Sequence, residues 1–405
     1  MIISFTIKNI FSFKDVQTLN FISNNRYRNH KNYLLDTPDP KIKLLKNIVI
    51  CGDDYNSQTD MINALNCFRD LLLYSENKLS NPIEDIKPFI FKENEDNTTF
   101  FEIEFFCNDC RYLYSVELNN QKVFSENFYY FPKNYKKTIF TRKLINGNEY
   151  EYNFCKELKH KFIYKYVASK TKKDVLFLSN IMNEELEYFN NIKNYFLSSL
   201  CCKFSHNTLI NKILKDKNYK KDFIKFIKNS DINIDDVKIE ETTLLSELYK
   251  YGIEVPMDIY NTFENKLEES YYKIIMLCSL DNKESCKFDY NSISNGTKKL
   301  MKLSQIFLND YSFFCIKDFN DGLHPLLVKK LVKEFNINKN NQLICTINNT
   351  NLLDHEILRP DQVCFIKTDE TLASNVYYLS YLILKENWNA YRLSSKYGEI
   401  PYIEK

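Results

Sequence analysis
Residues 47–59 read NIVICGDDYNSQT: an apolar run from Asn47 to Cys51, a polar loop from Gly52, then a helical pattern. In that pattern Met61, Ile62, Leu65, Phe68 and Leu72 share one face. A buried strand, a loop and a helix, in that order, form the setting of a phosphate-cradling loop. The pattern G-x4-G-K-[ST] works there for physical reasons. Glycines let backbone N–H groups form a concave nest, and the helix N-terminus adds positive potential. The lysine meets the β- and γ-phosphates, and the hydroxyl ligates Mg²⁺. Here Gly52 and Thr59 keep the spacing, Ser57 stands for the second glycine and Gln58 for the lysine. On this motif alone the segment reads as an ordinary strand–loop–helix turn.

The flanking sequence sets that turn in an α/β chain. Ile3, Phe5 and Ile7 alternate with polar residues, and VQTLNFI follows as a partner strand. Alternation returns over 100–153, where Phe101, Ile103 and Phe105 and then Tyr112, Tyr114, Val116 and Leu118 mark half-buried antiparallel strands. From about 155 to 283 the apolar spacing is three and four, which predicts helices, as an inserted lobe or as an ordinary helical layer. The runs FFCI (313–316), QLICT (342–346) and QVCFI (362–366) are continuous, as in a sheet covered on both faces. The expected organisation is therefore 1–154, a helical insertion over 155–283, and 284–405 completing the first domain.

Composition narrows the function classes. With 44% apolar and 15% aromatic residues the chain is globular, and its net charge of +2 carries no broad footprint for nucleic acid. Only seven arginines stand against 48 lysines. No run approaches the roughly 18 apolar residues of a spanning helix, so no membrane role is expected, and the N-terminus lacks a signal peptide's apolar run. A cytoplasmic location follows as the expectation, with the twelve cysteines reduced. Cys107-Asn-Asp-Cys110 has the spacing of half a zinc site, yet Asn108-Asp109 also suits a hairpin turn.

Several segments follow one another in an order that carries a resemblance. They are ISFTIKNIFSFKD (3–15), the strand–loop–helix, FEIEFF (101–106), SNGTKKLMKL (294–303), DGLHPLLVKKLV (321–332), QLICTINNTNLLD (342–354), RPDQVCFIKTDE (359–370) and RLSSKYGEIPYI (392–403). Over essentially its full length the chain resembles the bacterial AAA-labelled ATPases of abortive-infection systems. These are of the RloA/AbiL type, ABC/SMC-like proteins related to the OLD-family ATPases. The resemblance implies an ABC/SMC-like P-loop NTPase fold with mixed sheets and a helical insertion, and ATP with Mg²⁺ as cofactors.

Position by position, the resemblance implies losses. The loop would be Gly52, Asp53, Asp54, Asn56, Ser57, Gln58 and Thr59, with Thr59 the metal ligand where Mg²⁺ binds. The family's strand ends in Asp-Glu, where this chain has Lys317-Asp318, so Lys317 replaces a metal-holding aspartate and Asp318 stands at the base position. Asn348 replaces the switch histidine. The signature survives as Ser294-Asn295-Gly296-Thr297, which in such proteins serves the partner's site, and His324-Pro325 is kept. An ion pair between Lys317 and Asp53 or Asp54 is one expectation, with all three facing solvent as its alternative.

Three functions stay open on the sequence. The first is a pseudo-ATPase subunit, as a homodimer or paired with an intact ATPase paralogue. The second is a weak nucleotidase gating a toxic effector encoded nearby. The third is a DNA-repair ATPase of SMC/RecF character, resting on fold analogy alone.

Overall fold
The computed structural model describes residues 1–382 apart from 53–54, 77–81, 90–97, 146, 148, 157–159, 185, 199, 202–203, 231, 280–284, 310 and 349–351. It is mixed α/β and divides into two compact units. The first holds Met1–Cys202, Asp310–Asn320 and Val328–Lys405, the second Lys203–Asn309 and Asp321–Leu327.

Alternation builds the first unit's larger sheet. Phe5 and Ile7 on Ile2–Lys8, and Phe101, Ile103 and Phe105 on Thr99–Cys107, all face inward. Seven antiparallel strands run in the order Tyr150–Phe154, Lys137–Leu144, Val123–Tyr130, Cys110–Leu118, Thr99–Cys107, Ile2–Lys8, Gln17–Asn20. Cys107 pairs directly with Cys110, and Asn108 and Asp109 turn the hairpin at φ 46° and 60°. Two successive positive φ values make the primed turn that matches strand twist.

Continuous apolar runs build the second sheet, in the order Leu200–Cys201, Phe313–Ile316, Gln342–Thr346, Asn47–Gly52, Val363–Thr368, Ser374–Tyr378. Its pairings are parallel except the last. The helix Tyr55–Tyr74 lies between the sheets. Its Phe68 ring sits 5.6 Å from Phe5 and 5.4 Å from Phe101, and the helix also packs on the strands at 47–52, 342–346 and 363–368. Gln342, fully buried, joins the two sheets as a strand would: its Oε1 accepts from Ile2 N at 2.6 Å and its Nε2 donates to Ile2 O at 2.7 Å.

At the end of this sheet away from the loop, buried Arg359 meets Asp361 through two bonds of 2.9 and 2.8 Å. It also donates to the carbonyls of Tyr27 and Asn29 at 3.1 and 2.8 Å. A lysine has no planar fork to match this set. Arg359→Lys is expected to cost about 2 kcal/mol, read as an earlier urea unfolding midpoint, because buried carbonyls lose their donors. An unchanged midpoint would mean the network adds nothing.

The expected insertion 155–283 divides between the units. Helices Lys161–Lys170, Phe177–Ile181 and Glu187–Ser198 belong to the first. The second contains helices His206–Lys215 and Lys217–Asn229, but also a three-stranded sheet of Asp236–Thr243, Ser270–Ser279 and Ser285–Asp289. Buried Ile274, Ile275 and Met276 form its central strand, and Lys273 Nζ reaches Glu247 at 2.6 Å and Asp289 at 3.4 Å.

Candidate functional site
Three parallel strands end side by side: Asn47–Gly52, Gln342–Thr346 and Phe313–Ile316. The space beyond their carboxyl ends is where open α/β sheets bind ligands, and Gly52, Lys317, Asp318 and Asn348 all follow from those ends. Gly52, Lys317, Asp318 and Asn348 therefore lie together at the carboxyl end of one sheet. Asp53 and Asp54 lie outside the described residues, as does the Asn56 side chain. The expected pairing of Lys317 with either aspartate falls there too.

Gly52 is required by packing. A Cβ at this position would stand 2.3 Å from the Ile366 carbonyl oxygen of the neighbouring strand. Ser57, Gln58 and Thr59 are buried in the first turns of the helix. Gln58 folds back across the loop, its Nε2 donating to the Gly52 carbonyl at 2.6 Å. Its Oε1 is buried and has no hydrogen-bond partner among the described residues. The side chain at the lysine position thus holds the loop's own backbone.

Asp318 sits at φ 52°, in the left-handed region, which a non-glycine residue occupies at a cost and seldom outside turns and functional sites. This turn folds the chain around the end of the adjacent strand. Asp318 N donates to Thr346 Oγ1 at 2.8 Å, and Phe319 N to Thr346 O at 2.9 Å. Asn348 approaches the same carboxylate, with Nδ2 3.5 Å from Asp318 Oδ1, and its own N–H donates to Asn320 Oδ1 at 3.0 Å. Asp318 and Asn348 therefore lie side by side at the ends of neighbouring strands.

Lys317 points the other way, toward the helix Tyr55–Tyr74, where its ammonium donates to Asn63 Oδ1. Asp60 lies in the same cluster, accepting from Asn63 Nδ2 and Ser12 N, each at 3.2 Å. Burial pushes the Asp60 carboxyl above its usual range, while Ser12, Asn63 and the charge of Lys317 pull against that. Asn63, Asp60, Thr346 and Asn320 were not among the sequence candidates. Asn63 carried a signal nonetheless: it lies four residues after Thr59, one turn along the same helix face.

This set does not fit a divalent cation beside Lys317. At an effective dielectric near 20, an ammonium about 4 Å from a doubly charged ion is repelled by several kcal/mol. Among the described residues no three His, Cys, Asp or Glu side chains come together as metal ligands.

The signature residues lie in the second unit. Ser294 caps helix Asn295–Leu308, its Oγ accepting from Thr297 N at 3.1 Å, and Ser294 and Asn295 are exposed. Gly296 is needed for close approach, since a Cβ there would stand 2.4 Å from the carbonyl oxygen of Gly322, itself at φ +69°. His324 Nδ1 faces Leu326 N at 3.3 Å, with Pro325 opening the helix Pro325–Asn338, which is the loop-to-helix junction that Pro favours. No described helix is long and apolar enough to cross a membrane.

A family model described as "AAA domain, putative AbiEii toxin, Type IV TA system" matches residues 63–346, beginning inside the helix that follows the loop. No curated protein matches. Among solved structures, the chain is similar to one titled "Crystal structure of the SmcHead bound to the C-winged helix domain of ScpA", with 11% identity, TM-score 0.46, and coverage of 94% of this chain and 99% of that one. It is also similar to the SMC head domain from Thermotoga maritima, with 11% identity, TM-score 0.41, and coverage of 93% and 98%. With residues 63–346 of its 405 spanned by that model, the chain belongs to the AAA-domain family described as putative AbiEii toxin of type IV toxin–antitoxin systems.

Proposed function
We propose that this chain is a pseudo-ATPase of that family: a structural or regulatory subunit of a bacterial abortive-infection or toxin–antitoxin system, of the RloA/AbiL type. The observation that carries the reading is the bond from Lys317 to Asn63, which engages an ammonium at the position that the resemblance aligns with a metal-holding carboxylate. Gln58, turned onto the Gly52 carbonyl, supports it by leaving the loop without its phosphate-seeking cation. Removing one electrostatic stabiliser of a transition state costs roughly 10²–10³ in rate. Three altered positions (Gln58, Lys317 and Asn348) argue against efficient turnover even if their effects overlap.

The exposed Ser294 and Asn295 keep the signature available to a second subunit, a copy of this chain or an intact ATPase paralogue. A cytoplasmic setting fits that role.

One observation favours the alternative of a weak nucleotidase gating a toxic effector: Asp318 keeps its carboxylate beside Asn348, on a strained backbone. Calorimetric titration of Mg²⁺-ATP, with phosphate release measured in parallel, decides between them. The expected result is no saturable heat at micromolar nucleotide and a phosphate rate no different from that of Asp318→Asn. Micromolar binding with turnover that Asp318→Asn abolishes would replace the first reading by the second.

A further inference from the structure
The strand Phe313–Ile316 and the helix Tyr55–Tyr74 carry the two halves of the site, and their side chains come from residues 254 apart in sequence. A bound divalent cation is one way to hold two such elements at a fixed distance. Here a side chain does it. Lys317 leaves the strand end, crosses to the helix and donates a hydrogen bond from its ammonium to Asn63 Oδ1. Asn63 in turn donates to Asp60, and Asp60 accepts from Ser12 N, so the bond continues into the loop after the strand Ile2–Lys8.

Chemistry favours the substitution. A lysine ammonium has three donors and one charge on a flexible stem, so it satisfies an amide oxygen and neutralises a nearby carboxylate with no exchangeable ion. Half-buried groups make that contact stronger than its solvated equivalent.

We infer that Lys317 is a resident cation, a built-in replacement for the divalent ion's structural role, which locks strand and helix together whether or not metal or nucleotide is present. The inference rests on the site being metal-poor, as in the reading above, but concerns the folded state and not turnover.

Thermal unfolding of the full chain tests it in a double-mutant cycle of Lys317→Met and Asn63→Leu, each measured with EDTA and with millimolar Mg²⁺. The wild-type midpoint is expected to be the same in both buffers. Each single substitution should lower it by a few degrees, and the pair by clearly less than the sum, because coupled residues fail additivity. Lys317→Arg keeps the charge and should recover most of the loss. Lys317→Asp should be destabilised in EDTA and gain a Mg²⁺-dependent rise that the wild type lacks.

Additive single losses, or a wild-type midpoint raised by Mg²⁺ and lowered by EDTA, would overturn the inference. Asp318-dependent phosphate release from a chain that still shows the coupling would overturn only the pseudo-ATPase reading. Absent coupling in a chain with no turnover would overturn only the inference about Lys317.

Discussion

Glu126→Ala is expected to destabilise the chain by about 3–5 kcal/mol, the range for stripping one partner from a buried ion pair. Glu126 and Arg142 are both fully buried, 3.4 Å apart on adjacent strands. The carboxylate accepts from Phe177 N and Leu178 N at 2.7 Å each and from Tyr114 Oη at 2.9 Å. Arg142 donates to the carbonyls of Val175 and Lys172 at 2.7 and 2.9 Å, and its guanidinium lies 4.0 Å over the Tyr150 ring. Burial raises the Glu126 carboxyl above its ordinary range, opposed by Arg142 and by the two amides.

One residue therefore fastens the helix Phe177–Ile181 to the seven-stranded sheet, and alanine leaves a buried guanidinium and three donors unanswered. Replacing both charges, Glu126→Met with Arg142→Met, should recover only part of the loss. It removes the orphaned charge, while the Phe177 and Leu178 amides and the Tyr114 hydroxyl stay unpaired. Urea unfolding measures both variants, and a single-mutant loss below about 1 kcal/mol would show that the pair is dispensable.

That pair also shows why part of the fold was not legible in the sequence. Local periodicity carried the strands: the alternation of Phe101, Ile103 and Phe105 and the continuous runs at 313–316 and 342–346 appear where expected, and the run expected at 362–366 forms the strand Val363–Thr368. The helices at 161–198 were legible as helices, but their attachment to the first unit was not. For Phe177–Ile181 it involves Glu126, some 50 residues away, whose amide partners no spacing could have matched to it. For the flanking helices it involves ring contacts such as Phe128–Phe189 and Phe105–Phe196 between distant segments.

Asp236–Thr243 and Ser270–Ser279 hid inside a stretch expected to be helical. The run Ile274-Ile275-Met276-Leu277 is short and continuously apolar, and such runs fit a buried helix as well as a strand. The site divides the same way. Lys317, Asp318 and Asn348 were legible as positions, because they follow strands that periodicity marks. Their partners Asn63 and Thr346 emerged only once the helix and the two strands stood together.

Gly52→Ala is expected to cost at least about 3 kcal/mol, at or beyond the upper end of ordinary overpacking. The reason is geometric. Gly52 pairs with Ile366 in a parallel ladder, and an added Cβ would lie 2.3 Å from the Ile366 carbonyl oxygen and 3.3 Å from its carbon. Neither contact is with a flexible side chain, so the strands must part to admit the methyl group. The third neighbour, Gln58 Cγ at 3.1 Å, belongs to the side chain that closes the loop onto Gly52's own carbonyl. Strain at Gly52 should therefore also disturb that closure.

The consequence bears on how the loop is read. Of the residues that keep the phosphate-loop spacing, Gly52 is the one whose identity looks most like a nucleotide requirement. Yet strand packing alone demands it, so its presence gives no support to nucleotide binding. Thermal or urea unfolding of Gly52→Ala, without nucleotide and again with millimolar Mg²⁺-ATP, separates the two demands. A large loss of stability, equal under both conditions, is expected. A variant as stable as the wild type that had lost nucleotide binding would return Gly52 to the role the motif assigns it.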